Sequence, residues 1–221
     1  YVYTGSIQSL PCTVKEYVFG DLNYDERYKI FGFSNQTFDE VGWYYPSAGS
    51  NEIDRYVTYN YVQRTWAIGK MERTAWIDYG IYQKPRAAGG SSPGYVYAHE
   101  VGYDDDGAPM DNVSIQSGDI DIGDGEQFSF VSRVIPDFKF IGTDGAGPQT
   151  VDLIVKMRDA PGGTLVADAT IPVDAETQVK NIRGRGRQFS LNVSSFNDGI
   201  NNNANRLGVG WILGSTRLDV K

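Results

Sequence analysis

The stretch YKIFGFSNQTFDEVGWYYPSAGSNEIDRYVTYNYVQRTWAIG, residues 28 to 69, decides the fold class. It breaks into four short runs rich in Tyr, Val, Ile, Phe and Trp: YKIFGFS, EVGWYYP, RYVTYNY and TWAIG. Between them stand NQTFD, SAGSNEID and VQR, whose Asn, Asp, Gly and Ser favour turns. Helical periodicity is nearly absent along the chain, whereas β-branched and aromatic residues suit a pleated, half-buried surface. An all-β fold is therefore expected.

Four strands in about 40 to 45 residues is the size of one propeller blade, so residues 28 to 70 are expected to form one. In RYVTYNYVQRTWAIG a strand with an aromatic at every second or third position turns tightly into a short strand opened by Trp66. That indole is expected to fill the wedge between neighbouring sheets. RTAWIDYGI and GYVYAHEVGY can begin another blade around QKPRAAGGSSPG, which is a surface loop by composition. A lone blade cannot close a propeller of roughly 4 to 8 blades. Because the sequence also begins at Tyr1, inside strand-like material, it reads as an internal piece of a longer protein.

From about Val113 the alternation becomes regular, as in TVDLIVKMRDAPGG, TLVADATIPV and RQFSLNVSS, each with one apolar and one polar face. Residues 1–112 are thus expected to form a propeller-like β domain and residues 113–221 a β-sandwich.

At 221 residues the chain is long enough for one or two proper cores without stapling, and its single Cys12 cannot form an internal bridge. No apolar run approaches the roughly 20 residues of a membrane span, so none is expected. The opening YVYTGSIQSLPC also lacks the basic-then-apolar layout of a signal peptide. A net charge of −8 opposes general adhesion to nucleic acid or anionic lipid. Charge is nevertheless uneven. Residues 100 to 126 carry acids and no Lys or Arg, while residues 180 to 187 are wholly basic.

Few residues invite chemistry. DIDIGDGE, residues 119 to 126, fails the calcium-loop register, since Gly123 stands at the fifth position and Asp124 at the sixth. Asp119 and Asp121 are better read as the outer face of a strand. Asp104, Asp105 and Asp106 read as a loop, with Asp106-Gly107 a tight turn. His99 is the only histidine, and HEVGY lacks the second histidine of a zinc site. Neither metal nor cofactor is expected, and no catalytic set stands out, although carboxylate pairs of the glycosidase kind are not visible in sequence. Trp43, Tyr44 and Tyr45 form an aromatic cluster that suits either core filling or stacking on sugar rings.

NIRGRGRQFSLNVSS, residues 181 to 195, places Arg183, Arg185 and Arg187 on one side of a strand. Gly184 and Gly186 leave the other side bare for close backbone approach. Planar guanidiniums in a row suit carboxylates of a neighbouring strand or subunit better than nucleic acid, which usually requires interleaved stacking aromatics.

In order, LPCTVKEYVF, FDEVGWYYPSAGSNEIDRYVTYNYVQRTWAIG, RTAWIDYG, SGDIDIGDGEQFSFVSRVIPDF, RGRGRQFSLNVSS and GWILGSTRLDV cover most of the chain. This set resembles the C-terminal half of the tail hub or nozzle proteins of short-tailed bacteriophages, also called packaged-DNA stabilisation proteins. The resemblance implies a virion structural protein, generally a hexameric ring below the portal and adaptor. Such a ring closes the channel over packaged double-stranded DNA and lets it through at ejection. It also implies large β domains, some propeller-like, and no catalytic residues. Relatives continue with a basic tail where this chain stops at Lys221. A ring joins one patch to a different patch on the next copy. The expected pairing is Arg183, Arg185 and Arg187 against Asp104, Asp105, Asp106, Asp119 and Asp121. The alternative is a carbohydrate-binding tail or adhesin module that uses Trp43, Tyr44 and Tyr45.

Overall fold

The computed structural model describes residues 1–89, 94–105, 107, 110, 113–121, 127–144, 149–160, 162–195 and 208–220. The fold is all-β, built of antiparallel sheets with one seven-residue α-helix among the described residues. None of its described helices is long and apolar enough to cross a membrane. The chain divides into two compact units, Tyr1–Val101 and Gly102–Lys221. The division precedes the expected 112/113 boundary. Tyr103 explains this, since its ring covers Gly142 and Gly210 of the second unit and its hydroxyl donates to the Ile141 carbonyl at 3.2 Å.

The first unit opens with a small hairpin, β1 (Val2–Tyr3) and β2 (Ile7–Gln8), followed by α1 (Lys15–Asp21). The deciding stretch then forms a four-stranded antiparallel meander: β3 (Phe31–Asn35), β4 (Glu40–Tyr45), β5 (Arg55–Asn60) and β6 (Thr65–Lys70). Each strand falls within or beside one of the four runs read from the sequence. The β5–β6 turn is set locally by Asn60, whose Oδ1 accepts from the Val62 and Gln63 amides at 3.1 and 2.7 Å. Arg64 completes that turn at φ 59°.

Alternation divides the meander into two faces. Phe31, Phe33, Tyr44 and Tyr56 share one, and Trp43, Tyr45, Val57 and Trp66 share the other. Strand glycines are covered from across the ladder. Phe33 lies opposite Gly42 and Tyr56 opposite Gly69, and each ring occupies the space a Cβ would need.

A three-stranded sheet follows, made of β7 (Ala75–Ile77), β8 (Arg86–Ala88) and β9 (Val96–Ala98). Trp76 of β7, rather than Trp66, joins it to the meander. Its ring lies 4.9 Å from Phe33 and 6.2 Å from Tyr44, and its Nε1 donates to the Ser34 carbonyl at 2.7 Å. Trp66 is on the opposite face of the meander, where Nε1 donates to the Pro11 carbonyl at 2.9 Å. The wedge expected at Trp66 is therefore one strand further along the chain. Strand parity decides this, because Trp66 lies opposite Tyr59 and shares a face with Tyr45, away from Tyr44.

The second unit contains β10 (Ser114–Gln116), β11 (Ile120–Asp121), β12 (Ser129–Ile135), β13 (Phe138–Asp144), β14 (Thr150–Arg158), β15 (Leu165–Asp174), β16 (Lys180–Gly186), β17 (Gln188–Ser194), β18 (Gly208–Leu213) and β19 (Arg217–Val220). One sheet runs β10-β17-β14-β15 with β11 also on β17, a second β16-β12-β19, and a third β13-β18. Their apolar faces share one core. Val151, Leu153, Val155 and Met157 project into it from β14 at strict alternation, against Val131 and Val134 of β12, Ile182 of β16 and Val193 of β17. Fully burying each such side chain contributes about 1.5–3 kcal/mol.

Candidate functional site

Arg183 and Arg185 lie on β16, which among the described residues is an edge strand paired with β12. Ile182, Gly184 and Gly186 are buried, and Arg183 and Arg185 are exposed between them. The glycines are required on the inner side because the Met157 side chain fills the volume where a Cβ at Gly184 would be. Arg187 stands at the corner where the chain leaves the β12 sheet and enters the β14 sheet, and its amide donates to the Arg158 carbonyl at 2.9 Å.

Two of the three guanidiniums face an aromatic ring. Arg185 and Arg187 lie over Phe128, with 4.1 and 4.8 Å from guanidinium carbon to ring centroid. Among the described residues no ion pair involves Arg183, Arg185 or Arg187, and Nε of Arg187 is buried without a hydrogen-bond partner. Phe128 was missed in the sequence. It lies more than fifty positions before Arg185, and only the pairing of Phe130 with Arg185 brings the two segments together.

Two of the expected acidic partners are engaged within the chain. Asp119 forms an ion pair with Arg158 at 3.2 Å, and Asp121 accepts from Gln188 Nε2 at 2.7 Å, directly across the β11–β17 ladder. Asp104 accepts the Gly107 amide at 3.0 Å, and the Asp105 side chain is exposed. Asp106 lies outside the described residues. Among the described residues, none of Asp104, Asp105, Asp119 and Asp121 forms an ion pair with Arg183, Arg185 or Arg187 of the same chain.

Trp43, Tyr44 and Tyr45 do not form one platform. Tyr44 and Tyr45 are each 2% exposed and on opposite faces of β4, which leaves only Trp43 accessible at 40%. Trp43 stacks with Trp66 at 6.5 Å, and both line an apolar cavity of about 620 Å³ with Leu10, Val18, Leu22 and Val57. Burial pushes the Tyr45 hydroxyl, which has no hydrogen-bond partner, up to about 12.

A polar cluster in the first unit also lay beyond sequence reading. Arg73, 8% exposed, donates from Nε to His99 Nε2 at 3.0 Å and lies over Tyr97 at 4.1 Å, while His99 packs 4.7 Å from Trp76. Burial, and then the Arg73 charge, lower His99 to about 4. Asn35 Nδ2 donates to Glu100 Oε1 at 2.8 Å, and burial raises Glu100 and Glu40 above the usual carboxyl range. With its one ring nitrogen accepting from Arg73 inside packed aromatics, His99 is a structural imidazole. No group of three or more His, Cys, Asp or Glu side chains able to hold a metal occurs among the described residues.

No family model matches this chain, and no curated protein matches it.

Proposed function

We propose that the chain is a structural subunit of a bacteriophage tail, of nozzle or hub type, which assembles as a ring around the DNA channel of the virion. Six copies is the number implied by the resemblance of its sequence blocks. The observation that carries an assembling role is the apolar surface of the first unit. Around the small β7-β8-β9 sheet, Ile81, Tyr95 and Val96 are 89%, 61% and 65% exposed, and Ile77, Tyr79 and Tyr82 are exposed beside them. Exposed apolar surface of this kind calls for cover by another protein surface. The meander has the four antiparallel strands of one propeller blade, the small sheet linked to it by Trp76 has three, and the shared core of the second unit is compatible with a sandwich.

In this role the acidic balance has a purpose. A wall of net negative charge repels phosphates, so duplex DNA passes without being held and without sequence-specific contact. The test is imaging with mass determination of the full-length protein, alone and with a portal complex. Rings that dock to the portal support the reading, and a monomer that ignores it removes the reading.

A second reading is supported by the stacked Trp43 and Trp66 beside their cavity, a geometry suited to the apolar face of a sugar ring. Binding on a glycan array that is lost in Trp43→Ala would favour an adhesin module, whereas a conduit gives no signal there.

A further inference from the structure

We infer that the outer face of β16 binds the acidic corner Asp104–Asp105 of a second copy of this chain, forming one half of a head-to-tail subunit contact. This inference rests on the assembling role proposed above and names the partner surface.

The basic half is a prepared site. Arg185 and Arg187 lie over the Phe128 ring, so a carboxylate meets guanidiniums that have already lost part of their rotamer freedom. Arg183 extends the row along the same outward side of the strand. Beneath it the strand is fixed to the core, with Ile182 buried and Met157 packed under Gly184. Charged side chains on an edge strand disfavour backbone pairing with another strand. Contact is therefore made through the guanidiniums.

The acidic half follows from which carboxylates are already engaged. Among the described acids of the stretch, Asp119 is bound to Arg158 and Asp121 to Gln188, while Glu100 is half-buried on Asn35. Asp105 is exposed, and half-buried Asp104 accepts the Gly107 amide at Oδ1. These two side chains follow Tyr103, which is packed on the β13–β18 pair, whereas the arginines are on β16, which pairs with β12. Two different patches on one unit are what a heterologous contact needs. The wholly basic stretch also stands out on a chain of net charge −8, where most approaches between copies are repulsive, so it selects the orientation.

The test is a charge swap in the full-length protein, read by sedimentation velocity at low and high salt. R183E/R185E and D104K/D105K should each weaken self-association ~10-fold or more, and the four changes combined should recover most of it. Arg187, half-buried, is left unchanged. Circular dichroism and unfolding midpoints near wild type confirm that each variant folds. A folded R183E/R185E protein that associates like wild type overturns the inference, as does a folded combined variant that recovers nothing. If such silent variants still form rings that dock to the portal, only this contact is wrong; a wild type that stays monomeric contradicts the assembling role as well. Fluorescence anisotropy with a labelled DNA duplex covers the remaining possibility. Binding that R183E/R185E abolishes while self-association persists would assign the arginines to phosphate instead.

Discussion

His99 shows how one side chain couples the first unit to pH. Its Nε2 accepts from Arg73, so the ring must stay neutral, and its folded value of about 4 lies below the 6.5 of an unperturbed imidazole. The sign follows from linkage. The neutral ring contributes fully above pH 6.5, and that contribution is lost as pH falls toward 4, because the unfolded chain binds the proton first. Discounted for partial exposure, the effect is about 1–2 kcal/mol. Glu40 and Glu100, both raised, act in the opposite direction, losing their contribution as pH rises through their folded values. His99→Gln keeps an acceptor for Arg73 and cannot titrate. In thermal unfolding followed from pH 7 to pH 4, the first unit of this variant should lose less stability than wild type; parallel profiles would show that His99 carries none of the dependence. A second residue-scale prediction concerns Gly184. Gly184→Val forces a side chain into the volume of Met157, which is buried, and should cost about 1–3 kcal/mol by denaturant unfolding. Pairing it with Met157→Ala should return part of that loss, since the new side chain enters the space vacated.

At the scale of elements, the two tryptophans of the first unit have different roles. Trp76 joins two sheets through Phe33, Tyr44 and His99, so Trp76→Ala should destabilise the unit by about 3–5 kcal/mol. Trp66 instead ties the segment before α1 to the meander through Pro11. Trp66→Ala should leave the meander folded and make residues 9 to 22 more sensitive to limited proteolysis; equal loss of stability in both variants would contradict this division. The meander was legible in the sequence because turn residues separate four aromatic runs, and the row of β16 was legible because period-2 alternation puts Arg183 and Arg185 outward. The joining tryptophan was not. Which sheet a given face packs against depends on long-range contacts, here Trp66 with Pro11 on one face and Trp76 with Phe33 and Tyr44 on the other, and those partners are more than thirty positions away. The engagement of Asp119 and Asp121 was hidden for the same reason, since Arg158 and Gln188 reach them only through β17 and β14.

At the scale of the whole molecule, each unit has its own buried apolar cluster and also exposes large apolar residues, among the most exposed of which are those around the small sheet of the first unit. Burial of Ile81, Tyr95 and Val96 against another chain would account for their place in a folded protein, and polar replacement of all three should reduce assembly while leaving each unit's own unfolding midpoint nearly unchanged. The arginine row would then supply orientation and the apolar surface affinity, a common division of labour between charge and burial at interfaces. Electron microscopy with mass determination of the full-length protein, alone and mixed with a portal complex, tests the assembling role most directly. Closed rings of uniform size that dock to the portal are the predicted result; a monomer at every concentration, indifferent to the portal, would contradict it.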